Sequence, residues 1–205
     1  MEQGKFYVFE GIDGAGKGTQ IALLAERLKR SGADVELTRE PTGGNIGRLL
    51  REYLTLKLKG DDRSIAALFA ADRLDHIFGE GGLLEAVSSG KTVLCDRYYL
   101  SSYAYHSVGI DMDWVISMNS EAARSLRPAA HIFIDVSPET AMKRILARGQ
   151  KKELFEETER LARVRSNYFA AMEKLKDSEN FIIADGEGDP NEVAEEIWKK
   201  LSLNQ

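Results

Sequence analysis

The sequence predicts an α/β fold in three layers, a five-stranded parallel sheet with helices on both faces and a short lid. Three observations predict it. Five apolar runs of four or five residues alternate with longer segments whose apolar residues recur at helical spacing. Parallel strands need such crossovers, and helices then cover both faces of the sheet. The first run ends in a glycine-rich turn that leads straight into a helical pattern. The chain of 205 residues, 43% hydrophobic with four prolines, has the length and composition of one globular domain, assigned here to residues 1–205.

The elements follow in order. Lys5–Phe9 is apolar enough for a buried strand. Lys17–Ser31 carries Ile21, Leu24, Ala25 and Leu28 on one helical face and stops before Gly32. Asp34–Thr38 is a second strand. Asn45–Leu58 places Ile46, Leu49, Leu50, Tyr53 and Leu54 on one side of a helix, and Ser64–Phe78 is another, with apolar spacing that runs on to Val87 across Gly79, Gly81 and Gly82. Thr92–Cys95 is the third strand and leads into Asp96-Arg97-Tyr98. Short helices cover Ser101–His106 and Asp113–Arg124. His131–Asp135 is the fourth strand. Ser137 then caps a helix with Pro138 at its first position. Gly149–Glu153 is a basic loop, Leu154–Lys176 a long helix, Phe181–Ala184 the last strand and Pro190–Leu201 the last helix.

Charge and composition exclude several function classes. With 28 basic against 33 acidic residues the net charge is −5, whereas proteins that wrap nucleic acid carry a basic surplus. A small anionic ligand fits better than a polymer. Cys95 is the single cysteine, so an internal disulfide is impossible, and His76, His106 and His131 are far apart in sequence. No run approaches the ~18 apolar residues of a membrane span, and MEQGKFYVFEG has no leader pattern. The expectation is a cytoplasmic protein without a membrane or nucleic-acid partner.

Ligands of open parallel sheets sit beyond the carboxyl ends of the strands, so the residues that follow each strand matter most. Gly11, Ile12, Asp13, Gly14, Ala15, Gly16, Lys17, Gly18 and Thr19 complete the pattern G-x-x-x-x-G-K between the first strand and first helix. Its glycines let backbone N–H groups wrap phosphate, the helix N-terminus adds partial positive charge, and Lys17 reaches the outer phosphates. The strict pattern has Ser or Thr directly after the lysine. Here Gly18 stands there and the hydroxyl comes at Thr19, which weakens the case for direct hydroxyl contact with magnesium. The structural alternative is a turn that only joins strand to helix. A kinase with a second substrate and a nucleotide-hydrolysing switch both use such a loop. The guanine-reading string N-K-x-D is absent, and arginines follow several strands, which suits a second phosphorylated substrate. Asp96 is placed to face magnesium or its waters, and Arg97 to fork onto a phosphate; alone, the two are equally an ordinary ion pair.

FEGIDGAGKGTQ, TREPTGGNIGRLLRE, LFAADRLDH, CDRYYLSSYAYH and HIFIDVSPE, in that order and spacing, resemble the thymidylate kinase family from about Tyr7 to Trp198. The resemblance implies a P-loop kinase fold, ATP as donor with Mg2+, dTMP as acceptor and a homodimer. It implies that Asp13 sits near the sugar and phosphate, that thymine stacks on Phe69, and that Arg73 reaches a base carbonyl or the acceptor phosphate. It further implies that Arg97 grips the monophosphate, Ser102 approaches the base edge and Tyr105 lies near the sugar, where it disfavours a 2′-hydroxyl. Arg39 and Arg48 are further acceptor-site candidates. Independently, Phe69 and Arg73 are four residues apart and share one helix face; taken alone, core packing for Phe69 and a solvated face or a pair with Asp72 or Asp75 for Arg73 are the ordinary explanations, and only the surrounding motif lifts the two above them.

Members of this family carry either an arginine inside the phosphate loop or a glycine there and a catalytic arginine in the lid. Gly14 resembles the second pattern, so Arg144 and Arg148, in a lid near residues 144–154, are the expected transition-state cations beside Lys17, Asp13 and Arg97. Lys151-Lys152-Glu153-Leu154 departs from the family, where another arginine is expected; Arg163 and Arg165 are subordinate candidates. Other acceptors remain open: UMP, CMP, or AMP, since GKGTQ is also reminiscent of adenylate kinases. A regulator that binds nucleotide without transfer is the alternative from another class.

Overall fold

The computed structural model describes residues 4–149 and 154–203. Five parallel strands form one sheet: β1 (Phe6–Glu10), β2 (Val35–Arg39), β3 (Thr92–Asp96), β4 (Ala130–Asp135) and β5 (Phe181–Asp185), in the order β2-β3-β1-β4-β5. The order places β1 at the centre, and every residue of FYVFE is buried there, as expected of a strand covered on both faces. β1 pairs with β3 in the register Phe9↔Asp96 and with β4 in the register Glu10↔Phe133. These ladders carry the strands to Glu10 and Asp96, one residue past the apolar runs, because pairing continues where the side chains turn polar.

One face is covered by α1 (Lys17–Arg30) and α10 (Pro190–Leu203), which pack on each other. On the other side lie α3 (Asp62–Phe78), α4 (Leu83–Ser88), α5 (Tyr99–His106) and α9 (Leu154–Leu175). The connections also hold α2 (Asn45–Leu54), α6 (Met112–Met118), α7 (Ser120–Ser125) and α8 (Pro138–Ala147). The core runs from the strands into these helices through Val8, Phe9, Leu94, Tyr98, Tyr99, Phe133 and Tyr168. Cys95 is buried there as a small apolar residue.

The Ser137 cap is formed, its hydroxyl accepting from Thr140 N–H at 3.2 Å. Several helix boundaries differ from the periodicity; α3 starts two residues early, at Asp62, and α10 runs two residues on, to Leu203. α2 ends at Leu54 rather than Leu58 because Leu56 turns left-handed at φ 58°, leaving its side chain 82% exposed. α3 does not run into α4, since the helix stops at Gly79 in an extended conformation. A Cβ at Gly82 would approach three backbone carbonyl oxygens at 2.7–2.8 Å. Residues 113–124 form two helices, α6 and α7, broken at Asn119, whose buried side chain donates to Val115 O at 2.8 Å. α5 begins at Tyr99, two residues early, directly after a backbone reversal at Arg97. Of the basic loop, Gly149 is described; Gln150, Lys151, Lys152 and Glu153 lie outside the described residues.

Candidate active site

The phosphate loop leaves β1 and enters α1 through Gly11, Gly14 and Gly16, at φ 140°, 85° and 98°. These are conformations that only glycine adopts without strain. A Cβ on Gly14 would also lie 2.5 Å from Ala141 O in α8. The start of α8 therefore roofs the loop, and an arginine at this position is sterically barred. Gly14→Ala is expected to destabilise the protein by about 1–3 kcal/mol, several degrees in Tm. Thermal unfolding checks this; wild-type Tm in that variant would contradict the packing described.

Lys17 is buried, with Nζ donating to Gly11 O at 3.1 Å and Ile12 O at 3.2 Å. Burial, then the Arg97 charge, lowers its pKa to about 8, against the opposing pull of Asp96, Asp13 and Glu10. It is a cation resting on the loop's own carbonyls. Lys17, Thr19, Asp96 and Arg148 line a hollow of about 470 Å³, with Asp13, Gly14, Gly16, Gly18 and Arg97. One carboxylate oxygen of Asp96 is buried there without a hydrogen-bond partner. The unsatisfied Asp96 oxygen, in a hollow that also holds Thr19 and Asp13, is a hard oxygen donor that fits a divalent cation such as Mg2+, most of whose ligands would be phosphate and water oxygens. No group of three metal-ligating side chains occurs among the described residues.

Arg97 stands at φ 74° between β3 and α5, a backbone conformation costly for a non-glycine residue. Its Nη2 donates to Asp13 Oδ1 at 2.6 Å and Tyr105 Oη at 3.1 Å. Its Nη1 lies 3.1–3.3 Å from Gly11 O, Ser101 Oγ and Tyr168 Oη. Burial works against the charge, but Tyr105, Tyr168, Asp13 and Asp96 hold the guanidinium well above its ordinary pKa.

Arg73 is more deeply fixed, at 1% exposure. Its Nε and Nη2 donate to Glu40 Oε2 at 2.8 and 2.7 Å, its Nη1 to Asn119 Oδ1, and Tyr98 lies 5.3 Å beneath its Cζ. Neither sequence neighbour, Asp72 nor Asp75, pairs with it. Asp72 instead accepts from Thr42 N and Thr42 Oγ1 at 2.7 and 2.6 Å. Arg51 holds Pro41 O at 3.1 Å and Thr42 O at 2.6 Å. The segment after β2, with a cis Glu40–Pro41 bond, is thus tied to α2 and α3.

A second cavity, about 480 Å³, opens between α3 and α5 and includes Phe69, Arg73, Arg97, Ser102 and Tyr105 in its lining. Phe69 meets His106 with ring centroids 5.1 Å apart. Burial, assisted by the Arg73 charge, lowers the His106 pKa to about 4, so its imidazole is neutral near pH 7. Asp13 and Arg97 line both hollows. The cavity lined by Phe69 and by the guanidiniums of Arg73, Arg97 and Arg160 therefore shares a wall with the one made by the phosphate loop.

Arg144 bridges Ala15 O at 3.3 Å and Gly186 O at 2.8 Å, clamping the loop to the turn after β5. Other sequence candidates lie elsewhere. Arg39 and Arg48 are exposed and line neither hollow; Arg48 donates to Asn45 Oδ1 and to Gly43 O. Arg165 forms a two-pronged pair with Asp135 at 2.6 and 2.7 Å, and Arg163 is exposed. Arg160, which the sequence reading passes over, lines the larger cavity 5.8 Å from the Tyr105 ring and pairs with Glu157 at 3.1 Å. Helical register gives its one sequence signal, since it lies one and two turns before Val164 and Tyr168 on the buried face of α9.

The family model described as thymidylate kinase matches residues 9–197. A protein named thymidylate kinase from Caldicellulosiruptor saccharolyticus is 36% identical over 202 residues, 97% of this chain and 96% of that protein. Proteins named probable thymidylate kinase include one from Methanococcus aeolicus, 42% identical over 96% of this chain and 95% of its own. Another, from Pyrococcus horikoshii, is 41% identical over 83% and 84%.

Proposed function

The chain belongs to the thymidylate kinase family, and we propose that it transfers the γ-phosphoryl group of ATP to dTMP, giving ADP and dTDP. The observation that carries this reading is the wall shared by the two hollows at Asp13 and Arg97. A triphosphate on the loop and a monophosphate on Arg97 would meet there.

The residues divide the work. The amides of Gly11 to Thr19 and the Lys17 ammonium hold the donor phosphates. In the larger cavity thymine stacks on Phe69, with Ser102 at its edge and Arg73 beside it; Tyr105 packs near the sugar. Arg97 turns its fork to the acceptor phosphate. An oxygen of dTMP phosphate, already ionised near neutral pH, attacks the γ-phosphorus as the bond to the bridging oxygen breaks. The electron pair leaves with ADP, and no proton need be removed. Asp13, bonded to Arg97, orders the site. Arg144 and Arg148 offset charge that spreads over the transferring oxygens, and a lid near 144–154 excludes water from this single domain. Asp96 would hold Mg2+, whose charge would neutralise the donor phosphates.

Turnover with dTMP, dUMP, UMP, CMP, AMP and GMP, each with ATP, tests the assignment. Preference for dTMP is expected. Phosphorylation of AMP alone, or ATP binding without transfer to any acceptor, would overturn it. Light scattering should give a homodimer, as the family resemblance leads us to propose. No described helix is long and apolar enough to cross a membrane, consistent with our placing the enzyme in the cytoplasm.

A pH dependence follows from Lys17. Its depressed pKa means that the free enzyme loses this cation as pH rises through about 8. kcat/KM for ATP is expected to fall above that pH, while the dTMP dependence, resting on guanidiniums, falls less. An ATP profile flat to about pH 9.5 would contradict this role.

A further inference from the structure

Glu10 is a fully buried carboxylate that no step above uses. It is the last residue of β1, directly before the phosphate loop. Its Oε1 accepts from the backbone N–H groups of Tyr98 and Ser101 at 3.0 and 3.3 Å. Its Oε2 accepts from the Ser101 hydroxyl at 2.5 Å and lies 3.1 Å from Tyr168 Oη. Tyr98 is the N-cap of α5, and that helix has no side-chain cap of its own. The Glu10 carboxyl group supplies an acceptor for the Tyr98 N–H and shares the Ser101 N–H with Tyr98 O, which lies 3.1 Å from it, at the start of the helix.

The same groups surround Arg97. Ser101 Oγ and Tyr168 Oη, both on Glu10, accept from Arg97 Nη1 at 3.1 and 3.3 Å. Arg97 itself is the left-handed residue immediately before the capped turn. A backbone conformation of that cost persists only where its surroundings determine it. Glu10 does so from two sides, fixing the peptide after Arg97 through Tyr98 N–H and the guanidinium through two hydroxyls. Tyr168 lies in α9, the helix that follows the lid.

We infer that Glu10 is a positioning residue for the acceptor site, acting through Ser101 and Tyr168 to aim the Arg97 fork at the monophosphate. This rests on the reading of Arg97 as the acceptor grip. Burying an ionisable carboxyl group without a cation in direct contact is unfavourable, and four donors converging on it account for its presence.

Steady-state kinetics of Glu10→Gln, Tyr168→Phe and Arg97→Ala, and of the pair Glu10→Gln with Arg97→Ala, test the inference. Misaiming a binding group by about 1 Å costs about a hundredfold. Glu10→Gln is expected to raise KM for dTMP about ten- to a hundredfold, with KM for ATP changed less than about threefold. Tyr168→Phe keeps the carboxylate and the cap, and should give a smaller change in the same direction. In the Arg97→Ala background, Glu10→Gln should add nothing to the dTMP defect, because the group it aims is gone. A lowered Tm with both KM values unchanged, equal losses for both substrates, or full additivity with Arg97→Ala would overturn the inference. If Glu10→Gln fails to fold, Tyr168→Phe decides, and a wild-type dTMP KM there overturns it. If Arg97→Ala alone leaves dTMP kinetics intact, the acceptor-site reading falls and this inference with it. A weakened Arg97→Ala beside an intact Glu10→Gln overturns the inference alone.

Discussion

Lys17→Ala is expected to lower kcat by about 10²–10³, the loss seen when one preorganised group that meets developing charge is removed. Lys17 sits on Gly11 O and Ile12 O at 3.1 and 3.2 Å, a short swing from any phosphate in the loop. The loop amides remain in the variant, so ATP should still bind, and the cost should fall on the step in which charge moves to the β–γ oxygens. Lys17 does not line the larger cavity, so dTMP affinity should be kept. Steady-state kinetics with calorimetric dTMP titration separate the two effects. A loss under about tenfold in kcat, or a parallel loss of dTMP binding, would contradict the division of labour between the hollows.

Arg97→Ala is expected to cost the acceptor instead. Losing hydrogen bonds from a partly buried guanidinium to a charged phosphate costs about 1.5–3 kcal/mol, which is about tenfold to a hundred-and-fiftyfold in kcat/KM for dTMP. The variant loses the fork and also deprives Asp13 Oδ1 of a 2.6 Å partner. Arg97→Lys should not restore the loss. A point charge cannot hold Asp13 and Tyr105 through one nitrogen while the other meets Gly11 O, Ser101 and Tyr168. Unchanged dTMP kinetics in Arg97→Ala would remove this residue from the acceptor site.

The phosphate loop and the Asp96-Arg97-Tyr98 turn were legible in the sequence because local chemistry dictates them. Gly11, Gly14 and Gly16 occupy positions that need positive φ, and β3 must end where its apolar run meets charge. The packing of Gly14 against Ala141 leaves no room for a side chain at that place in the loop. What was hidden depends on partners distant in sequence. Arg73 reads as a helix-surface cation beside Asp72 and Asp75, yet it is buried on Glu40 and Asn119, 33 and 46 residues away. The break at Asn119 is invisible to periodicity, because the apolar spacing continues through it while the side chain bonds inward. Arg39 satisfies the strand-end rule in sequence, yet it is exposed and lines neither hollow, and Arg48, on α2, lines neither. Leu56 continues the apolar rhythm of α2 but lies outside the helix, because a left-handed residue ends it. Glu10 reads as the polar end of a strand, and only the return of α5 and α9 to β1 reveals its four donors.

In our reading the two anion sites meet across Asp13 and Arg97, so a single ligand should be able to span both. Calorimetric titration with adenosine and thymidine joined through a pentaphosphate should give one ligand per chain. It should bind at least about a hundredfold tighter than ATP or dTMP alone, since the second site is then filled without a second loss of translational freedom. Binding no tighter than that of ATP, and unaffected by Arg97→Ala, would show that the hollows do not act as one site.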